Sequence, residues 1–318
     1  MYHGDMPSHV NVVGKKELLT IIVPIQNEST TIGLFFERTK KVIDSLNHEY
    51  EVNLLFMDNC STDDSRDVVL NLRDQYRFIF LIALSRNVGY QKSIECGLRS
   101  AKGDLFVVID VDCEDPPEMI CEFLLQYKNG FDLVYGIRVD RTELWLIKKF
   151  RKFFYQIIQK VSDDDSILYM AEFALMTSEV RDAVVNSQDS FPFFRSSMAR
   201  VGFRRVGIPY KREKRISGET HYNFYGMFVF AVASILSSTT LPLRLPIYLL
   251  PFWTIGMLIG LRVFLESGVL SALYLIMLCA CLFIGGTLSA IALYLSRIYK
   301  NSLRRPNYFI QKRFSIMQ

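Results

Sequence analysis

Two apolar stretches, Leu245–Leu261 and Val269–Leu295, constrain this chain more than any other feature. The first is nearly uninterrupted and the second carries no charge. Each is long enough to cross a hydrocarbon core of about 30 Å, which takes about 20 helical residues. Only Arg262–Gly268 separates them, which predicts a helical hairpin with both ends on one side. Arg297, Lys300, Arg304, Arg305, Lys312 and Arg313 follow the second stretch, whereas the connecting loop holds Arg262 alone. That basic bias predicts that the preceding domain and both termini lie in the cytosol, with the chain multi-pass in the plasma (bacterial inner) membrane. Gly256 and Gly260 are four apart, as are Gly285 and Ser289, a spacing that suits close packing within the hairpin or between copies of the chain. Phe224–Ile235 is apolar but short, and reads either as an interfacial helix or as a helix packed on the domain.

The remainder of the 318 residues is long enough for one α/β domain with its own core. A net charge of +4, with no basic run interleaved with aromatics, argues against a nucleic-acid partner. Six cysteines form no CxxC pair and only four histidines accompany them, so neither a disulfide framework nor a zinc site is expected. Met1–Lys16 is polar and lacks the apolar core of a signal peptide.

From Leu18 to Ile137, short apolar runs alternate with longer amphipathic ones. Leu19–Pro24, Val52–Met57, Phe78–Leu84, Leu105–Asp110 and Leu133–Ile137 read as strands. Thr30–Leu46, Asp63–Tyr76, Gly89–Ser100 and Pro117–Tyr127 read as helices. This alternation predicts an α/β fold with a mostly parallel sheet covered by helices on both faces, its ligands beyond the carboxyl ends of the strands.

Three strand ends carry polar clusters there. Asp110-Val111-Asp112 closes the fourth strand, and two carboxylates at a strand edge suit Mg²⁺ or Mn²⁺ held against a diphosphate. Asp58 closes the second strand, placed to accept hydrogen bonds from a base or ribose. Gln26-Asn27-Glu28 follows the first. Any one of these is weak alone; together on one edge they make a site.

The segments VPIQNE, DNCSTD, LSRNVGYQKSIECGL, DVDCEDPP and YGIR, in that order, resemble the family 2 glycosyltransferases of the GT-A fold. They are most similar to the polyprenyl-phosphate group, which includes bactoprenol glucosyltransferases and dolichyl-phosphate mannose synthases. The resemblance runs from about Leu19 to Tyr222, and the bactoprenol type also carries two C-terminal membrane helices. It implies that Pro24, Asn27 and Glu28 line a nucleotide pocket and that Asp58 binds the base. It implies that Asp110 and Asp112 hold metal and diphosphate, with Glu114, where relatives often carry Gln, as a further metal ligand. Arg138 would face a phosphate. Arg215, Gly218, Thr220 and Tyr222 match a loop, RxxGxSKY in the family, that closes over the substrates, though His221 stands where Lys is frequent. Ala171–Leu175 resembles the family's GDFRL segment without its Arg, which makes Glu172 a candidate acidic group. Asn59-Cys60 replaces the commoner Asp-Gly.

The implied layout is a tail (1–17), the GT-A domain (18–222), a juxtamembrane helix (223–240), two transmembrane helices (241–296) and a basic cytosolic tail (297–318). The implied partners are a nucleotide sugar, a polyprenyl phosphate and the bilayer, with homo-oligomerisation through the helices possible. The implied reaction is an inverting displacement onto an already anionic lipid phosphate, which needs no general base. Lys149 and Arg151, within Lys148–Lys152, suit either the acceptor phosphate or anionic headgroups. UDP-glucose with undecaprenyl phosphate is the expected pair. A GDP-mannose-dependent mannose synthase is the enzymatic alternative, and an inactive nucleotide-binding membrane scaffold is the alternative outside catalysis.

Overall fold

A computed structural model describes residues 16–139, 170–186, 193–213, 239–267 and 270–318. The chain forms two compact units, one α/β and one made of long apolar helices.

The α/β unit is built on a seven-stranded sheet in the order β3-β2-β1-β4-β6-β5-β7. Its strands are β1 (Glu17–Ile25), β2 (Tyr50–Asp58), β3 (Ile79–Ala83), β4 (Leu105–Val108), β5 (Leu133–Val139), β6 (Met170–Thr177) and β7 (Arg205–Lys211). All pairings are parallel except those of β6, which runs against both β4 and β5. The mostly parallel sheet is therefore as expected, although β6 and β7 had no counterpart among the strands read from sequence.

Period-2 alternation sorts the central strands between two cores. Leu19, Ile21, Val23, Leu54, Phe56, Leu105 and Val107 face one side. There they meet Phe35 of α1 (Ser29–Leu46), Val69 of α2 (Ser65–Gln75) and Phe123 of α4 (Met119–Lys128). Ile22, Leu55, Met57, Phe106 and Val108 face the other. There they meet Ile94 of α3 (Tyr90–Ser100), Val180 of α5 (Ser178–Asn186) and Met198 of α6 (Phe194–Arg200). Gly97 lets α3 sit hard on the sheet, because a Cβ at that position would lie 2.6 Å from Ile22 Cγ2.

Pro306–Gln318, expected as part of a basic tail, belongs to the α/β unit and pairs with β3 through Leu81–Ile316 and Leu84–Ile310.

In the second unit, α7 (Leu241–Ser267) and α8 (Leu270–Ser302) are long and apolar enough to cross a membrane. Both exceed the apolar runs read from sequence, because helical hydrogen bonding continues into their polar flanks. They pack together: Trp253 stacks on Phe283 with ring centroids 4.8 Å apart. Gly260 is used inside this hairpin, where a Cβ would come within 3.0 Å of Ile276. At Gly256 and Gly285 a Cβ would meet nothing.

Candidate active site

The carboxyl ends of β1, β2 and β4 open onto one edge, and their loops interlock. The Asn59 N–H donates to Ile25 O at 3.0 Å. Asn27 N–H donates to Ser61 Oγ, and Thr62 N–H donates to Asn27 Oδ1 at 2.8 Å. Glu28 N–H donates to Ser65 Oγ at 2.7 Å, and Asp63 accepts from the N–H groups of Ser29 and Ser65. Asn27, Cys60 and Cys113, one in each loop, have φ of 56°, 62° and 56°. Left-handed backbone is easy for Asn but strained for Cys, and such strain collects at functional sites.

Asp58 is fully buried at the end of β2. Its Oδ2 accepts from Arg66 Nε at 2.9 Å and Nη2 at 2.7 Å, and its Oδ1 accepts from Ser61 N–H at 2.8 Å. Asn27 and Glu28 sit on the accessible rim, whereas Pro24 is buried within β1 opposite Met57. Pro24 stands where the ladder to β4 has already ended at Ile22, so its missing N–H is tolerated.

Strand β4 ends at Val108, two residues before the carboxylate pair, so Asp110 and Asp112 lie in the loop itself. Asp110 accepts a short hydrogen bond from the Tyr90 hydroxyl at the start of α3. Burial, followed by the charges of Asp115 and Asp112, pushes the Asp110 carboxyl up to about 7. Asp112, 7% exposed, accepts from Glu114 N–H at 3.1 Å. Glu114, expected beside the pair, pairs through its carboxylate with Arg212 Nη2 at 2.5 Å. Among the described residues no three His, Cys, Asp or Glu groups converge as a metal cage. Two carboxylates fit a hard cation that keeps water and phosphate oxygens as its other ligands.

Arg138 Nη2 donates to Asp115 at 2.9 Å, and its Nε donates to the Tyr210 hydroxyl at 3.1 Å. Glu172, buried in β6, accepts from Gln91 Nε2 at 3.2 Å and from Arg195 Nη2 at 2.6 Å. Gln91 Oε1 in turn accepts from Phe194 N–H, so the first turn of α3 touches both Asp110 and Glu172. Asn59 Nδ2 donates to Asn87 Oδ1 at 2.9 Å, tying the loop after β2 to the loop that leads into α3.

The structure thus brings Asn27, Glu28, Asp58, Asp110, Asp112, Glu114, Arg138 and Glu172 to loops and strand ends of one unit. It also adds Tyr90, Gln91, Asp115, Arg195, Arg212 and Tyr210, which sequence reading missed. Tyr90 and Gln91 lay inside the quoted LSRNVGYQKS segment, the one signal that could have found them. Lys149, Arg151, Arg215, Gly218, Thr220 and Tyr222, and the segment Phe224–Ile235, fall outside the described residues.

The family model described as glycosyl transferase family 2 matches residues 20–202. An uncharacterized glycosyltransferase, YkcC, from Bacillus subtilis (strain 168) is 31% identical over 306 residues, covering 93% of this chain and 94% of the relative. The bactoprenol glucosyl transferase of Shigella phage SfX is 28% identical over 304 residues, covering 93% and 99%. Among solved structures, mannosyltransferase PcManGT from Pyrobaculum calidifontis in complex with GDP-Man and Mn²⁺ aligns with a TM-score of 0.44 at 14% identity, covering 91% and 87%.

Proposed function

Because the chain belongs to glycosyl transferase family 2, we propose that it transfers a hexose from a nucleotide diphosphate to a polyprenyl phosphate at a membrane surface. The observation that carries this reading is the full-length similarity to a protein named bactoprenol glucosyl transferase. The two apolar helices that follow the α/β unit support it. In this reading the sugar donor is UDP-glucose, the acceptor is undecaprenyl phosphate, and the α/β unit faces the cytosol of a multi-pass inner-membrane protein. Gly256 and Gly285 are candidates for contact between copies of the chain.

The geometry supports the following roles. Asn27, Glu28 and Asp58 edge the nucleotide pocket. Asp110 and Asp112 would hold Mg²⁺ or Mn²⁺, which supplies positive charge against the departing diphosphate. Tyr90 fixes Asp110 through its hydroxyl. Arg138, held by Asp115 and Tyr210, keeps further N–H donors for a phosphate. The acceptor oxygen is already anionic near neutral pH, so orientation and charge stabilisation do the catalytic work.

Membranes carrying the protein, given undecaprenyl phosphate and a panel of labelled nucleotide sugars with Mn²⁺, test this. Label should enter the organic-extractable lipid from UDP-glucose. Label from GDP-mannose alone would move the assignment to a mannose synthase, and no lipid label from any donor would overturn it.

A further inference from the structure

Pro306–Gln318 follows α8 in sequence and lies along β3, the strand at one end of the sheet. The attachment is regular. Ser85 N–H donates to Phe309 O at 2.9 Å, Gln311 N–H to Ala83 O at 2.8 Å, and Ile316 N–H to Leu81 O at 2.7 Å. Leu81 N–H donates back to Ile316 O at 3.0 Å, and Ala83 N–H donates to Ser315 Oγ at 3.0 Å. The 3₁₀ turn Lys312–Phe314 is therefore pinned on both sides.

That pinning aims one side chain. The Arg66 guanidinium lies 4.9 Å over the Phe314 ring. The same guanidinium makes both bonds to Asp58 Oδ2. A carboxylate offers about four acceptor positions. Arg66 fills those of Oδ2 and Ser61 N–H fills one on Oδ1, and Ser61 Oγ in turn accepts from Asn27 N–H, so the fully buried carboxylate ties Arg66 to the rim of the pocket. Arg66 is the long, rotatable member of this chain of contacts, and it is held from one side by a carboxylate and from the other by an aromatic face.

We propose that Phe314 is a positioning residue for the nucleotide pocket: its ring fixes Arg66, Arg66 fixes the buried Asp58 carboxylate, and that carboxylate holds Ser61 against Asn27 at the pocket rim. Binding of the nucleotide thus depends on a segment encoded after both apolar helices. The inference rests on reading Asn27, Glu28 and Asp58 as the edge of the nucleotide pocket.

The test uses full-length protein in detergent with Mn²⁺, titrated calorimetrically with UDP and separately with GDP. The tighter binder then serves for all variants. Phe314→Leu keeps an apolar cover and every backbone bond of the tail but removes the ring face. It should weaken nucleotide binding about threefold to thirtyfold, the range expected for losing one cation–π contact. Phe314→Trp should bind as wild type. The KM for nucleotide sugar should rise in Phe314→Leu while kcat and the KM for polyprenyl phosphate hold. In an Arg66→Met background, Phe314→Leu should add no further loss.

Wild-type binding by Phe314→Leu, alongside weakened binding by Asp58→Asn, would overturn the role of the tail and leave the pocket standing. Wild-type binding by Asp58→Asn, or no binding of either nucleotide to the wild type, would overturn the pocket and this role together.

Discussion

Arg138 of β5 and Asp115 of the loop after β4 form an ion pair at 2.9 Å, with the Asp115 side chain 1% exposed. Tyr210 of β7 hydrogen-bonds to the same carboxylate and accepts from Arg138 Nε. A cation expected only to meet a phosphate is thus also a structural tie between three segments. Among the described residues two of its five N–H donors are engaged.

Removing Asp115 should therefore damage the fold before it damages chemistry. Asp115→Ala strands a mostly buried guanidinium, and breaking such a pair costs up to about 3 kcal/mol. Asp115→Leu combined with Arg138→Met should regain much of that stability while losing activity. Chemical denaturation of all variants in one detergent checks it. A single variant as stable as wild type would refute the coupling.

Asp112→Asn should separate folding from function. The amide oxygen can still accept from Glu114 N–H, so melting should shift little. Transfer should fall at least about a hundredfold, the scale of losing one electrostatic contact to a developing charge. Initial-rate measurements on folded variant decide this, and turnover near wild type would remove Asp112 from the site.

Proton linkage at Asp110 has a defined sign. Its carboxyl is raised from 3.8 to about 7 in the folded chain, so the folded state holds the proton more tightly than the unfolded one. Its stabilising effect is present below about pH 4 and is lost as pH climbs through about 7. Metal-free protein should melt lower at pH 7.5 than at pH 5.5, and Asp110→Asn should lose that part of the slope. Mn²⁺ takes the deprotonated form, so adding it should raise the melting temperature more at pH 7.5. Equal slopes in wild type and Asp110→Asn would contradict the assignment.

Cys60 sits at φ 62° in the loop that follows β2. A side chain there costs about 1 kcal/mol that glycine avoids. Cys60→Gly should therefore raise thermal stability modestly without changing the KM for nucleotide sugar. Lower stability would show that the thiol makes a compensating contact.

Much of this was legible in the sequence, for identifiable reasons. Strands β1 to β5 announced themselves as β-branched apolar runs, and Asp58 and Asp110–Asp112 stood directly after such runs. Strand β6 was hidden because Glu172 interrupts its apolar run, although in the fold that carboxylate is neutralised by Arg195. Strand β7 was hidden because Pro209 and two end cations make RVGIPYK read as a loop. Asp115 stands before two prolines and reads as a turn, and its partner Arg138 lies on a separate strand. The sequence pattern also places Pro24 in the site by motif, whereas its burial in β1 follows from register. Nothing local links Arg66 to Phe314, since that contact exists only once the sheet edge has formed.

The tail along β3 also sets an order of events during synthesis. Strands and helices of the α/β unit leave the ribosome long before Leu81 and Ala83 can find Ile316 and Gln311. Until both apolar helices have followed, the outer strand carries unpaired amide and carbonyl groups, the kind of open ladder that recruits a neighbouring chain. The enzyme is thus most prone to aggregate while nascent, and both apolar helices are made before the stage at which that hazard closes.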